Sequence, residues 1–157
     1  KRIKINEDDN CGTVHDRMME VGAQILLTTI QKLEEGKLEE IHQPSLISAQ
    51  QELHHAPKLT TSNTEINWNQ SSKEVHNLIR GLSPYPAAFT FLKGKKMKVF
   101  ESEVELSSHA LETGIMSTDH KSFLKFAAND GYVLLKEIQL EGKKKMKIED
   151  FLRGWRG

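Results

Sequence analysis

Val75-His76-Asn77-Leu78-Ile79-Arg80-Gly81-Leu82-Ser83-Pro84-Tyr85-Pro86-Ala87-Ala88-Phe89 is the stretch where the chain changes its structural period. Ser71, just ahead of it, is a good helix N-cap, and Glu74 stands three residues on, the spacing of a capping box. Val75, Leu78, Ile79 and Leu82 follow at helical spacing. Gly81 suits a left-handed residue closing the helix, and Pro84 forbids its continuation. Pro84 and Pro86 stiffen the connection around Tyr85, because each ring fixes its own φ and pushes the preceding residue toward extended geometry. A helix should end here and a strand begin.

Working downstream, Ala88 to Leu92 and Met97 to Leu106 are apolar or β-branched enough for two strands, joined by a tight turn at Lys93-Gly94-Lys95. Gly114 to Ser117 and Phe123 to Ala127 suggest two short strands. Asn129-Asp130-Gly131 offers positive-φ turn residues before a strand over Tyr132 to Leu140. Ile148 to Arg153 predicts a short closing helix on Ile148, Phe151 and Leu152. Short strands punctuated by turns point to a small barrel, though periodicity alone leaves a sandwich open.

Working upstream, Thr60 to Gln70 is polar except for Ile66 and Trp68, spaced as on one face of a short leading strand. Glu34 to Ala56 mixes charge, Gln, Ser and His54-His55 with little period and reads as a linker with one helical turn. Thr13, with Asp16 in the third helical position, predicts a long helix reaching to Gly36. Its stripe of Met18, Met19, Val21, Ile25, Leu26, Ile30 and Leu33 needs a cover, either the C-terminal part of the chain or a second copy. Lys1 to Ile5 alternates like the end of a half-buried strand.

Several of these motifs together resemble the C-terminal half of the methionyl-tRNA formyltransferase family. They are Ala56-Pro57-Lys58-Leu59, Ile66-Asn67-Trp68, the stretch from Val75 to Phe89, Gln139-Leu140-Glu141-Gly142-Lys143-Lys144 and Phe151-Leu152-Arg153-Gly154, in family order. The likeness runs from about Ile3 to Gly154. It implies a mixed α and β chain in three parts. Residues 1–38 would be the strand end and final helix of an otherwise absent Rossmann-like formyltransferase domain. Residues 39–57 would be a linker, and residues 58–157 a small OB-like β-barrel that binds tRNA. Two positions depart from the family pattern: Tyr85 stands between the prolines where Trp is usual, and Thr113-Gly114 replaces Pro-Gly.

The bulk numbers set the frame. A chain of 157 residues can hold one ordinary domain, or a smaller domain plus an appendage. Lys plus Arg and Asp plus Glu both number 22, so net charge gives no case for a nucleic-acid module and the distribution of cations must carry it. A lone Cys11, no signal segment and no long apolar run fit a reducing cytoplasm, and a start at Lys1 without Met fits an excised fragment. No membrane partner is expected.

Two lysine clusters are the most informative polar feature: Lys93, Lys95, Lys96 and Lys98 around one turn, and Lys143, Lys144, Lys145 and Lys147 before the last helix. Clustered cations on a barrel can follow a phosphate backbone, or they are solvated turns. The family's C-terminal domain holds the acceptor arm of initiator tRNA by its backbone. The resemblance therefore implies phosphate contacts for these eight lysines with Lys58 and Arg80, and initiator methionyl-tRNA as partner. Arg80 has a competing role at a helix end. Trp68, Tyr85, Phe89, Phe91 and Phe100 have faces for stacking on bases, although core packing is the commoner duty.

No catalytic, cofactor-binding or metal residue is assigned. His15, His42, His54, His55, His76, His109 and His120 lack ligand spacing, and no cysteine cluster accompanies them. Cys11 stands in a polar stretch without a nucleophile motif. Glu101, Glu103 and Glu105 alternate toward solvent. The resemblance places 10-formyltetrahydrofolate, as co-substrate, and formyl transfer in the parent protein, monomeric and active only when complete. The fragment alone should be inactive, with the helix from Val14 to Glu35 as a route to self-association. Two other readings stand beside this: a related formyltransferase or formyltetrahydrofolate hydrolase, and a non-enzymatic nucleic-acid-binding barrel.

Overall fold

Between Leu92 and Lys95 the chain reverses over two residues, Lys93 at φ 49° and Gly94 at φ 76°. Two positive φ values in a two-residue loop match the twist of the flanking strands. The computed structural model describes residues 1–46 and 55–155. The strands on either side are β1, Ala88–Leu92, and β2, Lys95–Leu106. Three more follow as β3, Met116–Thr118, β4, Leu124–Ala128, and β5, Gly131–Leu140, and a two-residue β6, Met146–Lys147, completes the set. All pair antiparallel in the order β1-β2-β5-β4-β3, with β6 also on β5. The result is a mixed α and β fold built on one curled, half-barrel sheet.

The ladder does not close by strand pairing, since β1 and β3 are its two ends. The opening is spanned by residues 65–70, part of the stretch Thr60 to Gln70 whose spacing predicts a short strand. Residues Thr61–Thr64 form a helical turn, α2, instead, with Thr60 N–H donating to Asn63 Oδ1 at 2.7 Å. After it only one parallel bridge forms, Glu65 to Phe89. Side chains finish the closure. Trp68 Nε1 donates to Thr90 Oγ1 of β1 at 3.1 Å, while its indole stacks on Phe126 of β4 at 4.6 Å. Thr113 donates to Asn69, and Asn129 N–H donates to Gln70 O at 3.0 Å.

Helix α3, Ser72–Leu82, crosses this sheet with Val75, Ile79 and Leu82 buried. Its capping box is present, with Ser71 Oγ accepting from Glu74 N–H and the Glu74 carboxylate accepting from Ser71 N–H at 2.9 Å. Gly81, expected to be a left-handed terminus, is helical; Ser83 ends the helix in an extended conformation, and the left-handed residue is Ala87 at φ 69°. Ser83-Pro84 and Tyr85-Pro86 are both cis. Helix α4, Ile148–Gly154, buries Ile148, Phe151 and Leu152 in the same core.

A bulge in β2 decides which side chains face out. Met97 and Val99 point inward, yet so does Ser102, because pairing with β5 slips between Val99 and Ser102. The slip inverts the alternation. Lys96 and Lys98 before it, and Glu101, Glu103 and Glu105 after it, therefore all face outward. The β4–β5 turn departs from expectation in another way. Asn129-Asp130 makes a two-residue turn without any positive φ, and Gly131 serves a close approach: a Cβ there would lie 2.2 Å from Glu105 O.

The long helix α1 spans Cys11–Glu34, so Cys11 is helical and exposed. Its cap is Asn10, whose side chain accepts from Thr13 N–H while Thr13 answers to Asn10 N–H; Thr13 is thus the third helical residue and not the start. Gly36 follows the end at φ 66°. The apolar stripe is not covered. Only the first turns reach α3, through Gly12 N–H donating to Ser83 O at 3.1 Å, and Met18, Met19, Ile25, Leu26, Ile30 and Leu33 stay exposed. Residues Lys1 to Ile5, whose alternation predicts a strand end, form no strand. The expected helical turn in the connection is a 3-10 turn at Gln43–Leu46.

Candidate nucleic-acid interface

The β5–β6 turn folds back against the start of β2 and brings part of the second lysine cluster beside the first. Glu141 N–H donates to Lys96 O at 2.8 Å, and Lys96 N–H donates to the Glu141 carboxylate at 3.3 Å. Gly142, at φ 76°, lets the chain turn there, and Lys143 N–H donates to Leu140 O at 2.9 Å. Lys96 and Lys98 share one edge of two adjoining clefts. The larger, about 510 Å³, is lined also by Lys58, Tyr85 and Phe89. The smaller, about 300 Å³, continues past Gln139 to Gly142.

The candidate cations separate into two electrostatic kinds. Lys145 Nζ lies 2.8 Å from Glu137 and Lys147 Nζ 3.0 Å from Glu101. The Glu101 contact raises the Lys147 pKa above its ordinary value. Among the described residues, no carboxylate comes within ion-pair distance of Lys58, Lys93, Lys95, Lys96, Lys98, Lys143 or Lys144. Lys96 Nζ sits 3.6 Å from the centre of the Phe89 ring, which supports the ammonium without neutralising it.

Arg80 is engaged elsewhere. Its Nη1 donates to Asp9 O at 2.9 Å and Asn6 O at 3.3 Å, and its Nε donates to Asn77 Oδ1 at 2.9 Å. The guanidinium thus ties the segment before α1 to α3. Asp9 completes that knot by pairing with Arg17 and accepting from Asn6 N–H and Thr13 Oγ1. Those bonds, the Asn6 N–H first, hold its carboxyl down at about 2.

The aromatic candidates also divide. Trp68 and Phe89 belong to the closure and the core, whereas Tyr85 is 82% exposed. Sequence reading did not single out Trp155. Its indole stacks between Phe151 at 5.6 Å and His120 at 5.5 Å, with Lys93 Nζ 5.6 Å from its centre. Lys93 and His120 both hold positive φ, a backbone feature that residue type alone does not announce.

Among the described residues, no three His, Cys, Asp or Glu side chains converge as a metal site; His54 lies outside them. No described helix is long and apolar enough to cross a membrane. Glu103 and Glu105 are paired with Lys136 and Lys125 at 2.7 Å, which suits a structural outer face.

The family profile described as "Formyl transferase, C-terminal domain" matches residues 58–156. A methionyl-tRNA formyltransferase from Phocaeicola vulgatus is 38% identical over 160 residues, covering 99% of this chain and 49% of that protein. One from Bacteroides fragilis is 41% identical over 159 residues, covering 98% and 49%. The chain spans about half the length of these curated relatives. Among solved structures, a variant of HypX from Aquifex aeolicus matches 99% of this chain and 30% of its own with a TM-score of 0.61 at 17% identity, a likeness of fold.

Proposed function

The chain belongs to the formyl transferase C-terminal domain family, and on that footing we propose that it is the RNA-docking half of a methionyl-tRNA formyltransferase. Residues 58–157 form the docking module, OB-like in its curled sheet. Residues 1–38 end the preceding Rossmann-like domain, and 39–57 link the two. The complete cytoplasmic enzyme moves a formyl group from 10-formyltetrahydrofolate to the amino group of methionine on initiator tRNA. Bond chemistry belongs to the part of the relatives that this chain does not match. Docking contributes orientation, holding the aminoacyl end where the reaction occurs.

The observation that carries this reading is the meeting of lysines without carboxylate partners, Lys58, Lys96 and Lys98, along adjoining clefts, with Lys143 next in the chain after the second cleft's Gly142. Each phosphate neutralised releases condensed counterions, so contacts show as a salt dependence. Phosphate contacts position an RNA without reading its bases. Lys95 and Lys144 are further candidates without an acidic partner, Lys93 lies at the hairpin tip, and Lys145 and Lys147 contribute less because each already has an acid.

Binding of methionyl initiator tRNA to the chain, followed by anisotropy across a salt series, tests this. Four contacts give a slope of log affinity against log salt of about −3 to −4, at roughly 0.7 to 0.9 each. Exchanging Lys96 and Lys98 for Gln should reduce that slope by about 1.5. The same exchange at Lys145 and Lys147 should reduce it by less than half as much. Affinity independent of salt, or equal effects of the two exchanges, would refute the reading. Self-association through Val14 to Glu35 is a separate part of the proposal, and light scattering that gives a concentration-independent monomer would remove it.

A further inference from the structure

The Tyr85 ring is 82% exposed, yet the backbone that carries it is held from both sides. Pro84 and Pro86 fix their own φ. Ala87 N–H donates to Leu82 O at 2.9 Å, and Ala87 sits buried at φ 69°, a conformation an L-residue keeps only where its surroundings over-determine it. The ring borders the larger cleft with Lys58, Lys96 and Lys98. Phe91, also exposed, already packs edge-on against Phe89 at 5.7 Å. Tyr85 is thus a presented aromatic face beside cations that lack acidic partners.

We infer that Tyr85 is a stacking anchor that receives one unpaired nucleotide of the docked RNA, its base against the phenol ring and its flanking phosphates near Lys58, Lys96 and Lys98. The inference rests on the RNA-docking reading and adds selectivity to it. Paired bases have both faces covered by their neighbours, so a surface ring engages a base only where the strand is unpaired, bulged or frayed. Stacking accepts every base and needs no hydrogen-bond readout. A fixed ring also loses little freedom on binding, because only two side-chain torsions remain to be ordered. The cleft volume of about 510 Å³ is in the range of nucleotide-sized ligand sites. The surrounding cations favour an RNA occupant over an apolar protein segment.

The test compares a short labelled single-stranded RNA with a blunt duplex of the same length, using the chain and its Tyr85→Ala, Tyr85→Phe and Tyr85→Trp variants. Tyr85→Ala should weaken single-strand binding roughly ten- to a hundredfold, with less than about a twofold change on the duplex. Phe and Trp should retain binding, and the salt slope of Tyr85→Ala should match the parent chain, since no charge is removed. Unchanged urea midpoints establish that the variants are folded, and Tyr85→Gln replaces Ala if Ala does not fold. Equal losses on both probes, a loss with Phe as large as with Ala, or no loss at all would overturn the inference. If those results accompany a steep salt slope on tRNA, the docking reading survives without the anchor. If the unaltered chain binds neither probe nor tRNA, both fall.

Discussion

Gly131→Ala should be among the most damaging single-methyl additions in this chain. Gly131 opens β5 between Ala128 of β4 and Leu106 of β2. A Cβ placed on it would meet Glu105 O at 2.2 Å, Leu106 Cα at 3.0 Å and Glu105 C at 3.1 Å, all backbone atoms. Ordinary carbon–oxygen contacts begin near 3.3 Å, so the strands must part by about 1 Å, well beyond what a ladder hydrogen bond tolerates. Overpacking costs about 1–3 kcal/mol, and about two weakened ladder bonds add about 1 kcal/mol each. The sum, roughly 3–5 kcal/mol, is a large part of the 5–15 kcal/mol typical of a domain. Urea unfolding followed by circular dichroism reads this as a fall in midpoint. Gly81→Ala is the control of opposite sign, because it lies within α3 with open space around it and should stabilise by about 0.5–1 kcal/mol. A Gly131→Ala loss below about 1 kcal/mol would refute the close-approach argument.

Three further outcomes follow from other elements. Burial, followed by the charges of Lys73 and Arg80, lowers the His76 pKa below its ordinary 6.5, and its Nδ1 lies 3.0 Å from Ser102 Oγ. The unfolded chain therefore binds the proton more readily, stability falls as pH drops through 6.5, and His76→Gln should flatten that part of a urea-midpoint profile. Lys93→Asn keeps the two-residue turn while suiting its positive φ, and should raise stability by about 0.5–1 kcal/mol, read as a higher urea midpoint; a decrease would deny strain at Lys93. Leu26 is 61% exposed on the uncovered face of α1, so Leu26→Lys should change stability by no more than about 0.5 kcal/mol at dilute protein concentration, and a larger loss in the same melt would mean that something covers it.

Local chemistry carried most of what was legible in the sequence. Ser71 and Glu74 announce α3, Lys93-Gly94 announces the hairpin, and Ile148, Phe151 and Leu152 announce α4, since each signal is complete within a few residues. What escaped depends on distant partners. Ile66 and Trp68 have strand spacing, but the sheet opening they span is filled by stacking and side-chain bonds, so only one bridge forms. Gly131 looks like a turn glycine until β2 is placed behind it. The bulge in β2 did leave a trace: outward lysines at 96 and 98 and outward glutamates at 101, 103 and 105 fall out of phase by one residue. The candidate site was visible as two lysine clusters. Their adjacency and the pairing of Lys145 and Lys147 with acids needed the fold.

The bulge also shapes how a partner would arrive. Along the outward face of β2 it sets lysines without acidic partners ahead of three glutamates that each already hold a lysine, so the uncompensated charge of a formally neutral molecule gathers toward one end of that strand. From afar such an object exerts almost no net pull, and salt erases what remains beyond about 8 Å. A polyanion would meet it at nearly unassisted encounter rates and then swivel only at the last moment, cationic end inward. Selection would lie in how long the correct orientation lasts, with little contribution from how often collisions occur.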